Sequence, residues 1–449
     1  MEFRAEEYAE RLAALLAAGD EKAVATAIAE VQPADVAHAA RHLPRESVVQ
    51  LLKLVPEEIS ADILVLIDED LREDILASLT PQEIADVVEE MESDDAADVV
   101  AELAEDKAGK VVDLLEEEDR LEIAQLLTYP EDSAGGIMQV EVVSVREDRT
   151  VARAIEKIRL AAADIHEDIY FVYVTDAAGK LLGRLPLPRL LLANPEDQVR
   201  TLMDEETLSV LADADQEDVA QMFKKYDLPS LPVVDYAGRL LGRITIDDVV
   251  DVIHEEAEED YSRMAGTDEE EFREDSIYRK AMLRLPWLVT GLAGGVLSAL
   301  VFSHFEVDIQ SVIALAFFVP VITAMGGNVA IQSSAVMVRG LATGEITPRG
   351  AFSRLVREGG VAVITGLVCA ALIFVAAWAW RGPVIGAVVG GSMLAVILIA
   401  TSVGAFVPLV LDRLHIDPAL ATGPFVTTTN DILGILVYLS FATWVLRSF

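Results

Sequence analysis

Cysteine is almost missing: Cys369 is the only one in 449 residues. A single cysteine makes neither a disulfide framework nor a thiolate metal site. Histidine is nearly as scarce, with six residues and no His-rich metal motif. The chain has no P-loop and no nucleophile elbow, so it is not expected to be an enzyme. Basic charge is short as well. Lys and Arg number 35 against 76 Asp and Glu, a net charge of −41. Such a surface repels phosphate backbones, which argues against nucleic acid as a partner. It suits multivalent cations, and it also suits a surface adapted to high salt. The N-terminus, MEFRAEEYAERL, lacks the apolar core of a signal peptide, so the soluble half is expected in the cytoplasm.

The acid is unevenly spread. Residues 279–449 carry ten Lys/Arg and seven Asp/Glu, a net of +3. That leaves a net of −44 on residues 1–278. An acidic soluble part therefore precedes a nearly neutral apolar part, in a chain long enough for several domains.

Residues 1–130 read as an acidic helical repeat. Leu12, Leu15 and Leu16 recur at helical spacing, and Gly19-Asp20 ends that helix. Pro33, Pro56 and Pro81 then open successive units, each with proline in the first helical turn. Short helices are expected at Leu71–Leu79 and Ala96–Leu103. Paired helices at a repeated interval form a small α-solenoid. Its carboxylates crowd at Asp94, Asp95, Asp98, Glu102, Glu105 and Asp106, and most belong to a solvated face.

Residues 131–250 hold a duplication, 131–197 and 198–250. Each half predicts strand, helix, strand, turn, strand. In the first half these are Val140–Val145, Thr150–Arg159, Tyr170–Thr175, Asp176–Gly179 and Lys180–Leu185. The string Val-Thr-Asp-Ala-Ala-Gly-Lys-Leu-Leu-Gly-Arg of the first half aligns with Val-Val-Asp-Tyr-Ala-Gly-Arg-Leu-Leu-Gly-Arg of the second. The two halves resemble a tandem pair of CBS domains. Many CBS domains bind adenine nucleotides, ATP among them, through Gly-h-h-Thr/Ser-x-x-Asp. Gly242, Thr245 and Asp248 match that motif in the second half. Pro186 and Arg189 depart from it in the first.

Residues 251–278 read as an acidic connecting helix and linker. Asp251, Glu255, Glu256, Glu259 and Asp260 repel one another along the helix. Divalent cations would relieve that repulsion. Gly266–Glu271 reads as a mobile linker.

Residues 279–449 form a five-span transmembrane domain. Its apolar runs are Leu285–Ser303, Ile309–Val338, Gly359–Trp380, Gly382–Leu411 and Pro418–Leu446. Each can cross ~30 Å of hydrocarbon. An odd number of spans puts the two ends on opposite faces. Eight of the ten Lys/Arg fall in loops on one side, leaving Arg381 and Arg447 on the other. That bias predicts a multi-pass plasma-membrane protein with its N-terminus in the cytoplasm and its C-terminus outside. Pro320 and Gly326-Gly327-Asn328 are expected to break the second span beside a water-lined path. Gly386, Gly390 and Gly391 read as close helix packing.

The last run contains one formal charge, Asp431. A carboxylate at mid-membrane depth costs roughly 2.5–3.5 kcal/mol on insertion scales, so it usually faces a partner or a wet path. Thr427, Thr428, Thr429 and Asn430 add oxygen atoms, and an all-oxygen neighbourhood suits a hard cation.

The domain order, with Gly-Gly-Asn at 326–328 and Pro-Phe-Val-Thr-Thr-Thr-Asn-Asp at 424–431, resembles the MgtE family of magnesium channels or transporters. The resemblance covers essentially the whole chain. Ala330 stands where family members commonly carry glycine. What the resemblance implies is a homodimer in membrane lipid, with an Mg²⁺ pore on its two-fold axis. The pore residues would be Asp431, Asn430, Thr428, Asn328, Gly326 and Gly327. Regulatory Mg²⁺ would be held by Asp94, Asp98, Asp227, Asp248, Glu255, Glu259, Asp260 and Asp417, closing the pore when cytoplasmic Mg²⁺ is high. Two other functions fit the same residues: a channel for Co²⁺ or Mn²⁺, and a membrane-anchored CBS sensor without transport.

Overall fold

The computed structural model describes residues 4–161, 169–267, 276–306, 312–343, 345–346, 350–421 and 423–448. The expected linker leaves the described residues after Thr267, and the head of the second apolar run, 309–311, also lies outside them. The chain divides into two units, Met1–Ile253 and His254–Phe449.

The first unit opens with short helices between Ala5 and Leu126. Gly19 ends the first of them in the left-handed region (φ 67°), a conformation that glycine adopts without steric cost. Pro33 and Pro81 begin their helices, whereas Pro56 sits one residue earlier, at the N-cap of Glu57–Leu66. The helices expected near Leu71 and Ala96 are Glu69–Ser78 and Ser93–Ala101.

Two three-stranded sheets follow, β1 (Ser144–Arg146), β2 (Phe171–Thr175), β3 (Leu181–Pro186) and β4 (Val210–Leu211), β5 (Ser230–Val234), β6 (Leu240–Thr245). In each sheet the first pair is parallel and the second antiparallel. The duplication extends to an irregularity in register, at Val174/Thr175 and again at Val233/Val234. The turns after β2 and β5 bond to each other, Leu181 N–H to Gly238 O at 2.9 Å and Leu240 N–H to Gly179 O at 3.1 Å. The first half-module has its own core around Val143, Val172 and Leu185. The second shares one continuous core with the helical repeat.

The expected first strand is shorter than its sequence suggests. Val140–Val145 is not a strand throughout, since β1 begins only at Ser144. Gln139 and Val140 pair elsewhere. Gln139 exchanges backbone hydrogen bonds with Arg243, each 2.8 Å, and Val140 N–H donates to Ser93 Oγ at 2.9 Å.

The long helix Ile246–Ala265 carries the acidic connector. Among the described residues, five helices long and apolar enough to cross a membrane follow, here named the first to fifth spans: Ile277–His304, Ile313–Ala342, Ala351–Arg381, Pro383–Arg413 and Pro418–Val445. The second span is not broken at Gly326. A 3₁₀ turn, Ile313–Phe318, leads into one continuous helix, Val319–Ala342. Pro320 lies in that helix's first turn, where its missing N–H costs nothing. Gly386 and Gly390 do pack closely, against backbone of the third span: an added Cβ would lie 2.9 Å from Phe374 O and 3.0 Å from Ala370 O. Ala330 is fully buried, and the close approach at its carbonyl is made by Gly404 of the fourth span instead.

Candidate cation sites

In the fifth span, consecutive residues point about 100° apart, so neighbours in sequence meet different partners. Asn430 is 2 % exposed. Its Nδ2 reaches Thr323 O at 3.4 Å. It fills the space over Gly326, where an added Cβ would lie 2.7 Å from Oδ1 and 2.8 Å from Nδ2. Thr428 occupies the space over Gly294 of the first span. These two polar residues and Gly326 therefore join helices. Gly327 lies beside them, its Cβ position 3.9 Å from Asn430 Nδ2. Asp431 is half-buried, and its carboxylate has no hydrogen-bond or ion-pair partner among the described residues. Asn328 projects from the exposed side of the second span.

In the first unit, carboxylates gather at two helix N-termini. The helix Ser93–Ala101 brings Glu92, Asp94 and Asp95, and Ile246–Ala265 brings Asp247, Asp248 and Asp251. Asp94 is only 6 % exposed. Burial pushes its carboxyl well up, and Asp248 pushes it further. Burial and Asp248 likewise raise Asp95 to about 7, with Arg72 opposing. Glu92 rises to about 8 through burial and Glu141. Asp248 rises to about 6 through burial, against the pull of Thr245, whose Oγ1 donates to Oδ2 at 2.7 Å. Helix N-termini favour negative charge, yet burial first, and neighbouring carboxylates second, hold these carboxyls up. Asp98 stands exposed on the same helix as Asp94. Asp227 is also exposed, and it ends the helix Gln216–Tyr226 in a left-handed conformation (φ 49°).

The second unit shows a different arrangement. Arg263 pairs with Glu259, one helical turn before it, and with Asp417 on the loop leading into the fifth span. Asp260 is raised to about 6, by burial first and then by Asp417. Glu255 sits exposed one turn upstream. Among the described residues, no three Asp, Glu, His or Cys side chains are grouped closely enough to chelate an ion directly.

The nucleotide motif is engaged within the chain. Gly242 allows the backbone crossing with Gln139, whose carbonyl an added Cβ would strike. Gly183 allows the equivalent crossing with Asp204 in the first half-module. Thr245 and Asp248 bond to each other.

The magnesium transporter MgtE of Thermus thermophilus is 39% identical over 336 residues, 73% of each chain. That of Bacillus subtilis is 37% identical over 324 residues, 72% of each. The chain belongs to the MgtE family. The family model for the divalent cation transporter matches residues 319–441, that for the MgtE intracellular N domain 31–132, and a CBS-domain model 199–255. Two solved structures resemble the soluble part. One is the soluble part of a magnesium transporter, 32% identical, covering 57% of this chain and all of that one at a TM-score of 0.52. The other is the cytosolic domain of the Mg²⁺ channel MgtE in complex with ATP, 37% identical, covering 54% of this chain and 99% of that one, also at 0.52.

Sequence reasoning passed over Arg263, Glu92 and Glu141. Arg263 had a signal, since it follows Glu259 by four residues in an otherwise acidic helix. Glu92 and Glu141 are 49 positions apart in sequence, and nothing local joins them. Glu141 is held by Ser93, whose Oγ donates to Oε2 at 2.7 Å and whose N–H donates to Oε1 at 3.1 Å.

Proposed function

We propose that this MgtE-family protein conducts Mg²⁺ across the plasma membrane into the cytoplasm, with its N-terminus inside and its C-terminus outside. The observation that carries the reading is Asp431, a carboxylate without a partner among the described residues, in the fifth span of a chain whose relatives are named magnesium transporters. In a homodimer each subunit presents one Asp431 to a shared path. Mg²⁺ gives up its waters reluctantly, so the two carboxylates hold it through its hydration shell. Asn328 adds an uncharged ligand at the wall. Asn430, Thr428, Gly326 and Gly327 fix the helices that carry those groups. An inside-negative potential supplies about 2.3 kcal/mol per charge per 100 mV, and the ion carries two charges.

The acidic groups outside the membrane are the proposed sensor. High cytoplasmic Mg²⁺ neutralises Asp94, Asp98, Asp227 and Asp248, together with Glu255, Glu259, Asp260 and Asp417, and holds the pore closed. The raised carboxyls of the first unit support this, because opposed buried carboxylates favour any state in which a cation joins them. The absence of a direct chelate among the described residues suits a hydrated ion bound through water. An adenine nucleotide at Gly242, Thr245 and Asp248 is the second proposed ligand, in parallel with the ATP-bound relative. It would compete with Thr245 for Asp248.

Flux into liposomes carrying the purified protein tests the pore. Wild type should pass Mg²⁺ at low internal Mg²⁺, and Asp431→Ala should lose at least about tenfold of that flux. Undiminished flux in the variant would move the ion site away from Asp431. Competition by Co²⁺ and Mn²⁺ in the same assay sets selectivity, and an absence of flux in wild type would favour a sensor that does not transport.

A further inference from the structure

A cleft of about 570 Å³ lies between the end of the second span and the start of the third. Arg339, Arg354, Arg357, Ser353 and Glu345 line it together with Ile346. Its wall is built into the fold. Ile346 N–H donates to Gly340 O at 2.7 Å, and the Ile346 side chain fills the space that a Cβ on Gly340 would take. Met337, Ala351, Ala405 and Leu409 pack with Ile346 in one core cluster.

The charges in this cleft are unbalanced. Arg354 has Glu358 Oε1 at 3.5 Å, but its Nε is enclosed and makes no hydrogen bond. Arg339 and Arg357 have no carboxylate partner among the described residues. Glu345 is exposed and opposes an anion. Against two carboxylates, Glu345 and the Glu358 that neighbours Arg354, three guanidinium groups leave an excess of positive charge and make a site for a phosphate-type anion, because their planar forks match phosphate geometry. Next to the cleft the third span exposes Phe352 and Val356, at 76% and 60%. Those side chains are one turn apart and offer an apolar track to acyl chains. By alternation of the spans, this loop lies on the membrane face where the first span begins. Under the orientation proposed above, that face adjoins the more anionic leaflet.

We infer that Arg339, Arg354 and Arg357 bind the phosphate ester of an anionic phospholipid, with its chains along Phe352 and Val356. Its residues are none of those proposed for the ion path or the sensor, so the inference stands whether or not Asp431 carries Mg²⁺.

The test is native mass spectrometry of the full chain in detergent, titrated with phosphatidylglycerol and, separately, phosphatidylcholine. Wild type should take up a first phosphatidylglycerol at least about tenfold more tightly than Arg339→Gln/Arg357→Gln, and should show little preference for phosphatidylcholine. The single variants Arg339→Gln and Arg357→Gln, each on an exposed side chain, carry the test if the double variant fails to fold. Arg357→Lys should fall between them and wild type, since it keeps the charge and loses the fork. Inorganic phosphate and glycerol 3-phosphate at millimolar concentration separate the sources. If they fail to displace the lipid, the acyl chains are part of the ligand. If they displace it fully, the site takes a free phosphate ester and the lipid assignment falls. Equal phosphatidylglycerol binding by wild type and all the arginine variants would overturn the proposal.

Discussion

Two acidic regions of this molecule solve the same electrostatic problem differently. In the first unit, Glu92, Asp94 and Asp95 oppose Asp248, and the carboxyls there are held above their ordinary range. In the second unit, Arg263 stands between Glu259 and Asp417. In the second unit one guanidinium bonds both carboxylates directly, whereas in the first Arg72 and Arg243 only partly offset carboxyls that stay raised. Charges that are paired gain little from an added cation, and charges left opposed give a conformational equilibrium that an external cation can move.

The largest effect should come from removing divalent cations at pH 8. Each raised carboxyl of the first unit holds its proton longer in the folded chain than in the unfolded one. The stability that goes with the bound proton is complete below about pH 4, the ordinary carboxyl range, and is lost as pH climbs through the values of about 6, 7 and 8 for Asp248, Asp95 and Glu92. With a chelator present, melting of the full chain should fall by about 5 °C or more between pH 5 and pH 8. Millimolar Mg²⁺ should flatten that slope, and so should Asp94→Asn with Asp95→Asn. A slope indifferent to both would remove the contrast between the regions.

Arg263→Ala should come next. It leaves Asp417 and Glu259 facing each other without a cation, at a cost of about 1–3 kcal/mol. The sharper readout is a new Mg²⁺ dependence of protease cleavage in the connector, which makes the second region behave like the first. Cleavage with the wild-type Mg²⁺ response would mean that Arg263 is not standing in for an ion.

The smallest effect is expected at Asp227. Its side chain is exposed at a helix end, so Asp227→Asn should shift stability by less than about 0.5 kcal/mol. The same variant should weaken stabilisation by Mg²⁺, as its place in the proposed sensor requires, and an unchanged Mg²⁺ response would remove Asp227 from that sensor.

Much of the architecture was legible because its signals are local. Helical spacing of leucines, proline at helix starts and uncharged runs of span length each follow from a few neighbouring residues. The duplicated strings foretold two matching sheets, which the structure shows also share a register irregularity. The membrane site was half legible. Asp431 stood out as a lone charge, but the contacts that Asn430 and Thr428 make with Gly326 and Gly294 left no local signal. The expected break at Gly326 misread its purpose. That glycine makes room for Asn430 from a helix 104 residues away in sequence. A buried amide needs both space and a partner, and no pattern within the second span records either.

By itself the sequence determined the order of domains, the number of apolar spans, the duplication and the one charge in the last span. These are set by composition and periodicity, which neighbours in the chain decide among themselves. Tertiary structure alone decided which carboxylates oppose each other and which meet an arginine. It also decided which polar residues of the fifth span remain open, and that three arginines from two spans share one cleft. Those outcomes depend on distances between residues remote in sequence, and charge interactions and packing act through distance in space.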